Sequence, residues 1–239
     1  MNTIKIDRKN TLIIAHRGLS GLEAENTAAA FVAAGNRSYY GIETDIHRTG
    51  DGKIIINHDM DLKRIAGENI PVEEVSFDVI QSVVHFDKDG TRNRIDLRSP
   101  SLPDYLNICQ KYEKHSVIEL KSEFTNEEIS QIIEIVKAGY DLEKVTFISF
   151  KYENLLKIRE ALPEQSVQFL FCEITDEIVE NLIRDRIDVD VMHPALNAKT
   201  IELFHNAGLK VNCWTVDSKE RAEQLIELGV DFITSNILE

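Results

Sequence analysis

Three carboxylates, two histidines, one arginine and one lysine stand where short apolar runs of this sequence end. His16-Arg17-Gly18 closes the run that begins at Thr11, and Glu43 and Asp45 sit in the run from Gly41. His58-Asp59 follows Lys53–Asn57, and Glu119 and Lys121 end the run from Ser116. Residues two apart on a strand point to the same face, so Glu43 goes with Asp45 and Glu119 with Lys121. Carboxylates gathered on one face repel each other, and two arrangements relieve them. One is a hard divalent cation, Mg²⁺ or Ca²⁺, which oxygen ligands favour over soft metals. The other is an ion-pair network in which Arg17 and Lys121 balance Glu43, Asp45 and Glu119. Spacing alone leaves both open. His16 and His58 titrate near neutrality and suit general acid and base roles. Arg17 and Lys121 also suit a phosphate, one by its fork and the other as a point charge.

These residues need elements that bring them to one place. Eight β-branched runs recur: Thr11–Ala15, Gly41–Ile46, Ser116–Leu120, Val145–Phe150, Val167–Phe171, Ile187–Met192, Leu209–Trp214 and Val230–Thr234. Helix-like stretches separate them, the spacing of a parallel sheet built from βα units. Eight units predict a closed (β/α)₈ barrel, in which functional groups gather at the C-terminal ends of the strands. Local signals agree. Asn26 or Thr27 can cap the alanine-rich run to Ala34, and Pro103 sits early in Ser101–Tyr112. Thr125 with Glu128 forms one capping box and Asp217 with Glu220 a second. Gly139, Gly208 and Gly229 fall where helices should stop. The gap after the second run holds extra chain. Lys53–Asn57 reads as a short strand folded back through Thr49-Gly50-Asp51-Gly52, and residues 59–100 as a small insertion over one end of the barrel. The whole chain, 1–239, is expected to form one barrel domain.

Composition narrows the class. Lys and Arg number 27 against 41 Asp and Glu, a formal charge of −14. That argues against nonspecific binding to nucleic acid or to an anionic membrane, which needs a basic patch. No apolar run reaches the length of a membrane helix, and no secretory signal is visible, so the expectation is a cytoplasmic protein without stable membrane association. Cys109, Cys172 and Cys213 are widely spaced and read as reduced thiols. Dinucleotide, P-loop and serine-hydrolase glycine signatures are missing. Trp214 can line a pocket or pack in the core, and Phe150 and Phe171 form an apolar lip or core. His47 and His85 are expected to be exposed, His115 and His205 to lie at helix ends or on the surface, and His193 to be remote from chemistry.

His16-Arg17-Gly18, Glu25-Asn26-Thr27, Glu43-x-Asp45, His58-Asp59 and Glu119-x-Lys121, in this order, resemble the glycerophosphodiester phosphodiesterases. The likeness continues to Trp214-Thr215-Val216 and Gly229-Val230-Asp231. The chain departs from the family at Ala24, where proline is frequent, and at Thr234-Ser235-Asn236, where Thr-Asp is more usual. It ends at Glu239, so the final helix is absent or nearly so. The resemblance implies a barrel with an insertion after its second strand, and hydrolysis of glycerophosphodiesters to sn-glycerol 3-phosphate and an alcohol. It implies one Mg²⁺ or Ca²⁺ on Glu43, Asp45 and Glu119, and His16 and His58 as the acid/base pair. Arg17 and Lys121 would contact the phosphate, Glu25 would support the site, and Trp214 would border the glycerol. The implied partner is a small phosphodiester; a homo-oligomer stays open. Two other readings are a related barrel acting on lysophospholipids and a noncatalytic barrel that binds phosphodiesters.

Overall fold

The structure is a computed structural model and describes residues 2–239. Nine strands form: β1 (Leu12–Ala15), β2 (Gly41–Arg48), β3 (Ile54–Ile56), β4 (His115–Leu120), β5 (Val145–Ser149), β6 (Ser166–Phe171), β7 (Asp188–Met192), β8 (Val211–Trp214) and β9 (Phe232–Ser235). All but β3 pair in parallel, and β1 hydrogen-bonds both β2 and β9, which closes an eight-stranded barrel. Helices α1 (Ala28–Gly35), α4 (Leu102–Lys111), α5 (Asn126–Gly139), α6 (Tyr152–Ala161), α7 (Asp176–Asp185), α8 (Ala198–Asn206) and α9 (Lys219–Leu228) make the crossovers. This is the (β/α)₈ barrel that the alternation of runs implies. After β9 the chain instead pairs with Ile4 and buries Leu238 against the outer core.

Alternation along each strand sorts the side chains into two apolar regions. Outward residues such as Ile42, Ile118, Phe147 and Val189 pack beneath the helices. Inward Ile14, Val117, Ile148, Leu170 and Phe232 plug the lumen. This packing, together with buried Gln168, Asn212 and Thr234, fills the lumen below the polar groups at the mouth.

The gap after β2 folds as expected for its first part. β3 runs antiparallel to β2, with Ile46 opposite Ile56 and Arg48 opposite Ile54. The insertion beyond carries two short helices, α2 (Lys63–Ala66) and α3 (Phe77–Ser82), on a small core of Ile55, Leu62, Ala66, Val72 and Ile80. It lies against the β1–α1 loop: Lys88 Nζ donates to the Ser20 carbonyl at 2.7 Å and Arg94 pairs with Glu23 at 2.7 Å. No helix among the described residues is long and apolar enough to cross a membrane.

Helix starts follow the local signals with one exception. Thr27 caps α1 and Thr125 with Glu128 closes a capping box on α5. At α9 the cap is Ser218, whose hydroxyl accepts from the Arg221 amide, and not Asp217. The Asp217 carboxylate is drawn away by Ser235 and by the amide and side chain of Asn236 at 2.6–2.9 Å. Three such bonds outweigh one cap.

The β1–α1 loop needs two successive left-handed residues, Arg17 at φ 54° and Gly18 at φ 75°. A Cβ on Gly18 would lie 2.6 Å from the Ala30 carbonyl carbon, closer than atoms tolerate. Gly18→Ala is therefore expected to cost about 1–3 kcal/mol in backbone strain alone. A thermal melt checks this; an unchanged midpoint would contradict the tight packing of loop on α1.

Candidate active site

Glu43 and Asp45 from β2 and Glu119 from β4 meet at the C-terminal mouth of the barrel, all three buried. Each offers one carboxylate oxygen, and these oxygens lie within 4.8 Å of one another. The cations around them satisfy only part of the set. Lys121 Nζ lies 2.8 Å from Glu119 and 3.6 Å from Asp45 Oδ1, beyond hydrogen-bond reach of the latter. Arg17 Nε is 3.4 Å from Asp45 Oδ2, and the Arg17 amide donates to Glu43 Oε2 at 2.7 Å. Asn26 Nδ2 donates to Asp45 Oδ2 at 2.7 Å, and its own carbonyl oxygen accepts from Thr44 at 3.0 Å. Asp45 Oδ1 is left buried without a hydrogen bond, Lys121 serving it only as a distant ion pair.

Burial and like charge act on these acids unequally. Burial, with Asp45 and Glu119 nearby, pushes Glu43 well above the carboxylate range. Burial and the Asp45 charge push Glu119 up to about 8. Burial would raise Asp45 too, but Arg17 and Lys121 outweigh it and hold that carboxyl low. The ion-pair network anticipated for these residues thus exists but is incomplete. A carboxylate oxygen lacking a hydrogen bond beside two acids forced toward neutrality is a donor set that a divalent cation fits.

Both histidines face the same cleft with one ring nitrogen fixed. His16 Nδ1 is 2.8 Å from Asn236 Oδ1, and His58 Nδ1 is 2.7 Å from Asp59 Oδ1. In each ring Nε2 is the nitrogen left over. Burial, aided by Arg17, lowers His16 to about 4; burial also lowers His58, with Asp45 opposing it. Glu25 accepts from Arg17 Nη1 at 2.8 Å, and both its oxygens accept from Arg64 at 2.7 Å. Those bonds outweigh burial and lower Glu25 to about 2.

The cleft has a volume of about 90 Å³ and is open at the mouth. His16, Arg17, Glu43, His58 and Glu119 line its polar side, and Ile148, Phe150, Leu170 and Trp214 the apolar one. Phe150 is exposed at the mouth and meets Trp214 edge to face at 5.5 Å, while Phe171 is buried outside the barrel. Trp214 Nε1 donates to the Asp190 carbonyl at 3.1 Å, which holds the indole as a wall.

All nine residues singled out by sequence converge on this mouth or its rim. Three other histidines, His47, His85 and His115, are not where they were expected. His47 is fully buried and its Nε2 lies 3.1 Å from the His58 carbonyl oxygen, because the insertion folds over the end of β2. His85 is buried with its Nε2 3.1 Å from Ser99 Oγ within that insertion. His193 bonds Arg221, away from the cleft, and His205 bonds Asp231 near the surface. His115 begins β4 and stacks on Tyr40. Cys109 and Cys213 are buried, Cys172 is exposed, and all three are free. Asn26, Arg64, Asp190 and Asn236 belong to the site and were not picked out by sequence. Only Asn26 carried a signal, as the middle of Glu25-Asn26-Thr27.

The family model for glycerophosphoryl diester phosphodiesterases matches residues 16–238. The chain belongs to this family. A curated glycerophosphodiester phosphodiesterase of Caldanaerobacter subterraneus subsp. tengcongensis is 29% identical, over 95% of this chain and 94% of its own. A phosphodiesterase of Oleispira antarctica, solved in complex with the product sn-glycerol-3-phosphate, superposes with a TM-score of 0.87 at 24% identity, covering 94% of this chain and 92% of that one. A protein from Silicibacter pomeroyi described as a glycerophosphoryl diester phosphodiesterase gives 0.86 at 20% identity, covering 95% and 90%. In this family's barrel the mouth described above is the candidate active site.

The acids make the metal-free protein sensitive to pH. Glu119, raised to about 8 in the folded state, binds its proton more tightly there than when unfolded. Its contribution is complete below the unfolded value and is lost as pH rises through about 8. His16, His85 and His115, lowered to about 4, act in the opposite sense, but only below their unfolded value near 6.5. Chelator-stripped protein should therefore lose stability between about pH 6.5 and 8. Denaturant unfolding across that window checks it, and Glu119→Gln should flatten the decline. Equal slopes in the two proteins would show that Glu119 does not titrate there.

Proposed function

We propose that the protein hydrolyses glycerophosphodiesters, such as glycerophosphocholine and glycerophosphoethanolamine, to sn-glycerol 3-phosphate and an alcohol, using one bound Mg²⁺ or Ca²⁺. The observation that carries this reading is the incomplete acidic cluster, with Asp45 Oδ1 lacking a hydrogen bond, beside two histidines that each keep Nε2 free toward one cleft. Glu43, Asp45 and Glu119 would hold the cation. When bound, it neutralises charge on the phosphoryl oxygens of an otherwise unreactive anion.

The side chains supply the remaining chemistry. Arg17 and Lys121 flank the acids and would grip the phosphate, Arg17 through its guanidinium and Lys121 through its ammonium. Glu25 fixes Arg17 from behind. One histidine would take the proton from the attacking hydroxyl, and the other would deliver a proton to the departing alkoxide. A glycerol 2-hydroxyl and a water are served equally by that pair. The apolar wall with Trp214 would border the glycerol carbons. The phosphodiester anion is accommodated despite the acidic chain because a divalent ion reverses the local field.

Release of glycerol 3-phosphate from glycerophosphocholine, with added Mg²⁺ or Ca²⁺ and then with excess chelator, tests the reading. Turnover that the chelator stops is expected. His16→Ala and His58→Ala should each lower kcat by about 10²–10⁴-fold. Chelator-insensitive turnover, or losses under about tenfold in both variants, would contradict the assignment.

A further inference from the structure

Arg64 belongs to the four-residue helix α2 of the insertion, outside the barrel, and no motif points to it. Its guanidinium nevertheless reaches both arms of the site. Nε donates to Asp59 Oδ2 at 2.7 Å, and Nη1 and Nη2 donate to the two oxygens of Glu25, each at 2.7 Å. Each of those carboxylates uses an oxygen on a group facing the cleft: Asp59 Oδ1 on His58 Nδ1 at 2.7 Å, and Glu25 Oε1 on Arg17 Nη1 at 2.8 Å. His58, Asp59, Arg64, Glu25 and Arg17 thus form one continuous chain of charge-assisted hydrogen bonds. It runs from one side of the mouth to the other by way of the insertion.

We infer that Arg64 is a positioning residue that fixes the ring of His58 through Asp59 and the guanidinium of Arg17 through Glu25. The inference rests on the proposed role of His58. Its physical basis is geometric. A lone Asp59 beside His58 can rotate about two side-chain bonds, and each rotation would release Nδ1 and turn Nε2 away from the cleft. A second, bidentate-capable cation on Asp59 Oδ2 removes that freedom, because the planar fork of arginine fixes direction as well as distance. Lysine cannot satisfy two carboxylates in these directions at once. The Arg64 side chain is 47% exposed, so its pairing adds little to global stability. The precision it confers is local. This assigns a job to the insertion: it braces two groups of the mouth that arise from different loops, β1–α1 and the turn after β3.

The test is a double-mutant cycle on kcat for glycerophosphocholine hydrolysis with metal present, using Arg64→Ala, His58→Ala and the pair. Arg64→Ala should lower kcat by about 10–100-fold, the range found for groups that orient ligating or catalytic side chains from behind, with an unchanged thermal midpoint. Added to His58→Ala, it should cost clearly less than it does alone, the remainder being the Arg17 arm through Glu25, and millimolar guanidinium should restore part of the turnover of Arg64→Ala. Arg64→Lys should recover less than half of the lost activity; if Arg64→Ala does not fold, the lysine variant carries the same cycle. Full additivity with His58→Ala, or wild-type kcat in Arg64→Ala, overturns the inference. Wild-type kcat in His58→Ala overturns the reading of the site beneath it, a result distinct from the other two.

Discussion

Like charge under burial governs the mouth of this barrel. Glu43, Asp45 and Glu119 bring carboxylate oxygens within 4.8 Å of one another above the packed lumen. At an effective dielectric near 20, two unit charges about 4 Å apart repel by about 4 kcal/mol. A fold keeps such a cluster only if something answers it. Arg17 and Lys121 answer in part and hold Asp45 ionised, while Glu43 and Glu119 are driven toward their neutral forms. The residual deficit, centred on an Asp45 Oδ1 that lacks a hydrogen bond, is one that a divalent cation fits.

The rest of the mouth is arranged around that deficit. β2 and β4 run in register, Asp45 opposite Glu119, so the acids lie on adjacent strands rather than scattered about the rim. Barrel closure through β1 and β9 sets Asn236 against His16, and Asp217 steadies Asn236 in turn. On the opposite side β3 and the insertion deliver His58 with Asp59. The two histidines therefore gain the same orientation from unrelated parts of the fold, one from a neutral amide and one from a carboxylate. Between them the apolar wall of Ile148, Leu170 and Trp214 leaves room for an uncharged portion of a ligand.

Much of this was legible in the sequence because it rests on short periods. All eight β-branched runs became strands within about two residues of where their composition put them. The two-residue spacing placed Glu43 with Asp45 and Glu119 with Lys121 on the inward face. What escaped rests on contacts between distant segments. His47 reads as the exposed end of a strand, yet the insertion buries it. Arg64 sits in a helix too short to leave a periodic trace. Asn236 matters only once β9 has closed on β1. Asp217 and Ser218 both satisfy local capping rules, and a tertiary partner decided between them. The motifs of the family resemblance include Asn26, Glu25 and Asp59 beside the acids and histidines, but not Arg64.

The central claim is that the acidic cluster is a cation site. Diffraction from crystals grown with Mn²⁺, with an anomalous difference map at the manganese edge, tests it directly. The account requires one strong peak within coordination distance of Glu43, Asp45 and Glu119, abolished in crystals of Asp45→Asn. No peak at the mouth, or a peak held by other residues, would contradict it and leave the carboxylates as an ion-pair network with Arg17 and Lys121.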